Sequence, residues 1–182
     1  MKKNQGFTLI ELVVVIVILG ILAVTAAPRF LNLQSDAHES RAKGVFSALS
    51  SAVNMYHGAW ILQGEPSVSS GIGVIFADET VYPSTKGFPV GTTHHPSSGN
   101  SGISGSGCGE LLTSLITTDL KTETYSTTMF PTDADIKYWY NQTDECTYYY
   151  TSNMIDNSTY GYMMTYSVLT GETAVQYTTF PK

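Results

Sequence analysis

From Phe7 to Ala27 the chain runs almost without polar interruption: 17 of 21 residues are hydrophobic, and only Thr8, Glu11, Gly20 and Thr25 break the run. At about 1.5 Å per helical residue this stretch spans about 31 Å, close to the roughly 30 Å hydrocarbon core of a bilayer. It predicts one membrane-spanning helix. Past Pro28 the pattern changes to three- and four-residue steps through Ala42, Val45, Phe46, Leu49, Ala52, Val53, Tyr56 and Trp60, the stripe of a helix that packs one face on a sheet. A helix from Phe7 to about Leu62 would be about 80 Å long, half membrane stalk and half spine of a head. Pro28 removes a backbone hydrogen bond and costs a helix interior about 3 kcal/mol, so a kink or loosening is expected between Gly20 and Pro28.

The next segment, 63–107, holds 9 Gly and 9 Ser with prolines among them, a composition that predicts a long surface loop with one short strand at Ile72 to Ala77. The run from Pro96 to Gly109 is close to low complexity. Leu111, Leu112, Leu115 and Ile116 predict a short helix over Glu110 to Thr117, directly after Cys108.

Alternation then takes over. Ile136, Tyr138 and Tyr140 alternate with Lys137, Trp139 and Asn141, and Cys146, Tyr148 and Tyr150 alternate with Thr147, Tyr149 and Thr151. Tyr160, Tyr162, Met164, Tyr166 and Val168 form a third run, and Leu169-Thr170-Gly171-Glu172 turns into a fourth from Ala174 to Phe180. This predicts an antiparallel meander of about four strands with the long helix over one face, an α+β fold.

Composition adjusts this picture in three ways. Hydrophobic residues at 42% with charged ones at 13% argue against a disordered chain, and the near-zero mean hydropathy averages an apolar stalk with a polar head. A net charge of -6 gives no basic footprint, so no nucleic-acid partner is expected. The two cysteines, Cys108 and Cys146, both follow the apolar segment. They read more readily as one disulfide in an oxidising compartment than as a metal site, which would usually show four ligands. Such a bridge would stabilise by roughly 4 kcal/mol on chain-entropy grounds.

Lys2 and Lys3 precede the apolar run and place the N-terminus in the cytoplasm and the head outside. Glu11 is the odd residue, because an acid in a spanning helix costs about 2.5 to 3.5 kcal/mol on insertion scales and no basic side chain lies within the run. Cleavage after Gly6 would create a partner, a charged amine on Phe7 four residues away and on the same helix face. The alternative is a signal anchor with one stray acid held neutral.

The block Gly6-Phe7-Thr8-Leu9-Ile10-Glu11-Leu12 behind a short basic leader resembles the processing site of type IV prepilins. The similarity extends from Gly6 to about Ala37, through Pro28-Arg29-Phe30-Leu31-Asn32-Leu33-Gln34, where it resembles the mannose-sensitive haemagglutinin branch of that family. The resemblance implies a pilin-like α+β fold and cleavage between Gly6 and Phe7 by a prepilin peptidase that N-methylates Phe7. It further implies that Glu11 docks each new subunit against the Phe7 amine of its neighbour. The segments are then a leader (1–6), a transmembrane and assembly helix (7–27), an amphipathic continuation (28–62), an αβ-loop (63–107) and a disulfide-bounded head (108–182).

The function this implies is a homopolymer of pilin subunits, stored in the inner membrane and assembled by pilus machinery into an extracellular filament for adhesion and, as a further option, surface motility. A minor pilin or a pseudopilin of type II secretion would share the same segments. A single-pass anchored enzyme is the alternative of another class.

No G-x-x-x-x-G-K-[ST], H-E-x-x-H or G-x-S-x-G pattern occurs, so no catalytic residue and no cofactor is expected. His94-His95 reads as a loop pair, without a third ligand nearby. Asn141-Gln142-Thr143 and Asn157-Ser158-Thr159 match a glycosylation sequon that has weight only in eukaryotic secretion. Ten of the twelve tyrosines lie from Tyr125 onward; they read as half-buried strand residues, with contact to a glycan or surface ligand as the second reading.

Overall fold

The computed structural model describes residues 7–95, 102–125, 132–152, 154 and 160–180. Helix α1 is continuous from Leu9 to Leu62, and the chain divides into two units, 1–39 and 40–182. In the first, the large apolar side chains from Leu9 to Val24 are all exposed. In the second, the helix buries Ala42, Phe46, Leu49, Ala52, Val53 and Tyr56, with Val45 and Trp60 partly covered. These are the positions the three- and four-residue steps mark out, because only one face of a helix can meet a sheet.

The large sheet has the order β4-β5-β6-β7-β8, with β4 at Thr122–Thr124, β5 at Ile136–Tyr140, β6 at Glu145–Tyr150, β7 at Tyr160–Ser167 and β8 at Thr173–Thr179. Strands β5 to β8 form the expected antiparallel meander. Strand β4 adds to it in parallel with β5, a strand of only three residues with no apolar alternation to announce it. The fold is α+β, as the helix followed by alternating runs predicts.

The register puts Ile136 opposite Tyr150, Tyr138 opposite Tyr148 and Tyr148 opposite Met164, so these residues share the inner face. Tyr148, Tyr150, Met164 and Tyr166 are completely buried there. The outer face is partly covered as well. Tyr149 is buried under Phe180, whose ring meets it edge-on at 5.0 Å, with Met154 completing a small second cluster. Lys137, opposite Tyr149 on that face, is buried as well, its Nζ 3.5 Å from the Glu123 carboxylate.

Segment 63–107 differs from the surface loop expected of it. It carries a three-stranded antiparallel sheet of β1 (Val74–Phe76), β2 (Glu79–Pro83) and β3 (Pro89–Gly91). Strand β1 lies within the strand expected at Ile72 to Ala77, whereas β2 and β3 fall where a loop is expected; each strand buries one valine in the core, Val74, Val81 and Val90, with Phe76 and Tyr82 packed against it. Tertiary burial stabilises strands too short to show a period of their own.

Helix α2 runs from Gly105 to Leu115, starting five residues before the predicted start, and Ser104 caps it by accepting from the Gly107 amide. Its glycines are demanded by packing. A Cβ at Gly107 would strike the Val90 carbonyl, and one at Gly109 the Tyr138 ring.

Three buried phenols cross-link these layers. Tyr56 donates to the Val81 carbonyl, Tyr166 to that of Pro89 and Tyr148 to that of Cys108, at 2.8 to 2.9 Å. Burial pushes all three phenols up, so they remain protonated donors.

Candidate functional site

The first unit presents an apolar cylinder. The window Leu9–Ala26 has mean hydropathy 3.0 and none of it is buried; Phe7 is 90% exposed and Leu9 80%. Thr25 answers its own hydroxyl by donating to the Leu22 carbonyl at 3.0 Å, which leaves Glu11 as the only ionisable side chain in the window.

Glu11 is not unpartnered. Its Oε2 accepts from the Thr8 amide at 3.1 Å and from the Thr8 hydroxyl at 2.9 Å, while the Glu11 amide faces the Thr8 hydroxyl oxygen at 3.3 Å. This is a capping box, with Thr8 as N-cap and Glu11 at the third helical position, and it satisfies amides that the first turn leaves open. Glu11 thus has a neutral partner, Thr8, where a charged one is expected, and T-x-x-E is the sequence signature of this device. The carboxylate is thereby held at the positive end of the helix dipole, within one turn of Phe7.

The other predicted site residues are distributed as follows. Gly6 lies outside the described residues. Helix α1 continues through positions 20 and 28, and nothing lies within 4 Å of where a Cβ on Gly20 would be, so packing in this chain does not require glycine there. Cys108 on α2 and Cys146 on β6 are both buried and joined in a disulfide, their Cα atoms 5.6 Å apart.

His94 and His95 do not build a metal site: among the described residues no group of three His, Cys, Asp or Glu side chains could hold an ion. His94 instead lies 2.9 Å from the Val68 carbonyl through Nε2 and 5.0 Å from the Tyr82 ring. Asn141 organises the β5–β6 hairpin by accepting from the Thr143 and Glu145 amides. The second sequon, at 157–159, lies outside the described residues.

Glu110 is a polar centre that sequence reading missed. From α2 its carboxylate accepts from the amides and hydroxyls of both Thr92 and Thr93 at 2.8 to 3.1 Å. Partial burial acts to raise its pKa, but the hydrogen bonds outweigh it and hold the group below the usual glutamate range. It pins the end of β3 to α2.

Comparison with known proteins matches residues 1–27 to a family described as "Prokaryotic N-terminal methylation motif". The chain is 44% identical over 55 residues to a type II secretion system core protein G of Pseudomonas aeruginosa, covering 30% of this chain and 39% of that protein. It is 48% identical over 50 residues to a type IV major pilin protein, PilA, of Myxococcus xanthus, covering 28% and 23%. It is also 41% identical over 70 residues to a fimbrial protein of Pseudomonas aeruginosa, covering 38% and 43%. Each match thus spans less than half the length of the relative. No solved structure matches the chain significantly. The resemblance drawn from Gly6 to Leu12 is borne out: the N-terminal segment carries the methylation motif and is similar to segments of a type IV pilin, a fimbrial protein and a core protein G alike.

Proposed function

We infer that this chain is the structural subunit of an extracellular type IV pilus, assembled from many copies through the helix that begins at Leu9. The observation that carries this reading is the bare apolar cylinder of the first unit, which opens on a capped carboxylate. A helix exposing apolar side chains throughout Leu9–Ala26 is stable in a bilayer or against other apolar helices, and not in water. A filament offers it the second environment after the first.

In this reading a prepilin peptidase cuts between Gly6 and Phe7 in the inner membrane, with the N-terminus cytoplasmic, and N-methylates Phe7. The new amine of one subunit meets the Glu11 carboxylate of its neighbour, and a mispaired Glu11 buried among apolar helices is penalised, which sets register. A helix weakened between Gly20 and Pro28 lets the filament stretch. The head lies outside the cell, in keeping with its disulfide, and serves adhesion or surface motility. It catalyses no reaction.

The intact mass of the subunit sheared from cells tests this. The expected mass starts at N-methylated Phe7 and lacks two hydrogens for the disulfide; a subunit that retains residues 1–6 would refute the processing. The relatives named core protein G favour a second reading, a pseudopilin of type II secretion. Absence of the chain from sheared filaments, together with loss of protein secretion on its deletion, would select that reading.

A further inference from the structure

The structure describes all twelve tyrosines of the chain, and only two of them, Tyr160 and Tyr177, are exposed, at 57% and 60%. These two are neighbours. Register sets Tyr162 opposite Tyr177 and Tyr160 opposite Thr179, so Tyr160 and Tyr177 are diagonal partners on one face of β7 and β8. Their rings are inclined by only 22°, with centroids 6.3 Å apart.

Exposure matters because a phenol gives up an electron readily only when its proton can leave at the same time. Tyr56, Tyr148 and Tyr166 donate to main-chain carbonyls, which are too weakly basic to take that proton, and burial pushes these phenols up. Tyr160 and Tyr177 can pass it to water. Thiols, which would compete for a one-electron oxidant, are absent, since Cys108 and Cys146 are joined.

We propose that Tyr160 and Tyr177 form an oxidative cross-linking site, which a haem peroxidase working on hydrogen peroxide converts to dityrosine. Each phenol loses one electron and one proton. The two phenoxyl radicals pair to form one carbon–carbon bond between ring positions ortho to the hydroxyls, and the hydrogen on each coupled carbon then moves to its oxygen. The two electrons and two protons reduce one hydrogen peroxide to two waters.

Tyr162 lies closer to Tyr177, with centroids 4.9 Å apart and rings at 57°, yet it is the poorer partner. A bond between ortho positions keeps the two Cβ atoms well apart, which suits diagonal neighbours, about 7 to 8 Å apart, better than directly opposite residues, whose Cβ atoms stand about 4.5 to 5.5 Å apart. Tyr162 is also half-buried, with the Lys43 Nζ 5.5 Å from its ring centroid, and a cation held against a ring opposes removal of its electrons. The link falls at the open end of the hairpin, away from the turn at 169–172. Strand β8 is the last of its sheet, so a bond there staples the edge strand where it would otherwise fray. The proposal does not depend on the filament reading.

The test treats the full chain in detergent micelles with a haem peroxidase and hydrogen peroxide. Dityrosine fluorescence should appear in a monomer-sized band whose mass is lower by two hydrogens. After reduction of the disulfide, cleavage beyond Glu172 places the two tyrosines on separate peptides, which the new bond holds together in the mass spectrum. Tyr160→Phe and Tyr177→Phe keep the rings and each abolish the product, whereas Tyr162→Phe and Trp139→Phe, the latter on the opposite sheet face, leave its yield unchanged. The proposal is overturned by the absence of dityrosine, by a product that survives phenylalanine at 160 or 177, by a link that maps to Tyr162, or by coupling found only between chains. An unchanged unfolding temperature of the linked chain would remove the stapling role.

Discussion

Tyr148 donates its hydroxyl to the carbonyl of Cys108 over 2.8 Å, at the point where the disulfide joins α2 to β6. The covalent link and the hydrogen bond therefore fix the same pair of elements, one through the Cys146 side chain and the other through a strand neighbour two residues on. Tyr56 on α1 and Tyr166 on β7 make the equivalent hydrogen bonds to β2 and β3, without a covalent link beside them. A core that takes its rigidity from phenols bonded to main-chain carbonyls should be sensitive to losing a single oxygen. Tyr148→Phe keeps the ring and its packing, so the expected loss is that of one buried hydrogen bond, about 1 to 2 kcal/mol. Chemical denaturation of the full chain in micelles measures it, and an unchanged midpoint would show the bond to be energetically silent.

Glycine content on α2 makes an opposite pair of predictions. Gly105 is exposed with open space around it, whereas a Cβ at Gly109 would run into the Tyr138 ring. That ring is held in place, since Thr124 donates to its hydroxyl at 2.9 Å. Helix propensity favours alanine at either position by up to about 1 kcal/mol. Gly105→Ala should therefore stabilise by a few tenths to about 1 kcal/mol, while Gly109→Ala should destabilise by about 1 to 3 kcal/mol through overpacking. Thermal midpoints of the two variants decide it, and equal shifts of one sign would refute the packing argument.

Glu110 supplies a pH dependence. Four donors from Thr92 and Thr93 hold its carboxyl below the usual glutamate range against the opposing effect of partial burial. A depressed folded-state pKa contributes stability that is complete above the unfolded value and is lost as pH falls through the folded one. Glu110→Gln should thus be less stable than the native chain at pH 7, and the gap should close on acidification below the ordinary glutamate pKa of about 4.3. Midpoints of both proteins followed from pH 7 to pH 3 check this; a gap that widens toward acid would reverse the sign and remove the assigned role.

How far the fold was legible depended on whether a residue's partner lay within its own element. Phe46, Leu49, Val53 and Tyr56 declare a helix face by spacing alone, and Tyr148, Tyr150, Met164 and Tyr166 declare a strand face. Val74 lies in the apolar run that announces β1, whereas Val81 and Val90 declare nothing, because they stand in short strands without alternation that are stabilised by what packs on them. The glycines at 105, 107 and 109 concealed the start of α2, since low propensity and close packing leave the same mark in sequence. At the N-terminal segment the acid stands out by its charge, and its partner, the Thr8 hydroxyl, is legible only through the T-x-x-E signature of a capping box.

That hydroxyl makes two roles for Glu11 separable. The capping box requires an acceptor at position 11, which glutamine supplies as well as glutamate. Docking against a neighbour's amine requires the negative charge. Glu11→Gln should keep the first turn formed, with amide exchange at Leu9 to Leu12 slowed as in the native chain, while filament yield falls as far as in Glu11→Ala. Thr8→Val should do the reverse at the helix end, loosening the first turn by about 0.5 to 2 kcal/mol with the charge intact. Membrane insertion should survive in all three, because the apolar run from Leu12 to Leu19 is untouched. Filaments sheared from cells expressing each variant, weighed against the membrane-bound pool, give the comparison. Native yield from Glu11→Gln would mean that the carboxylate acts only as a cap and would remove it from the assembly step.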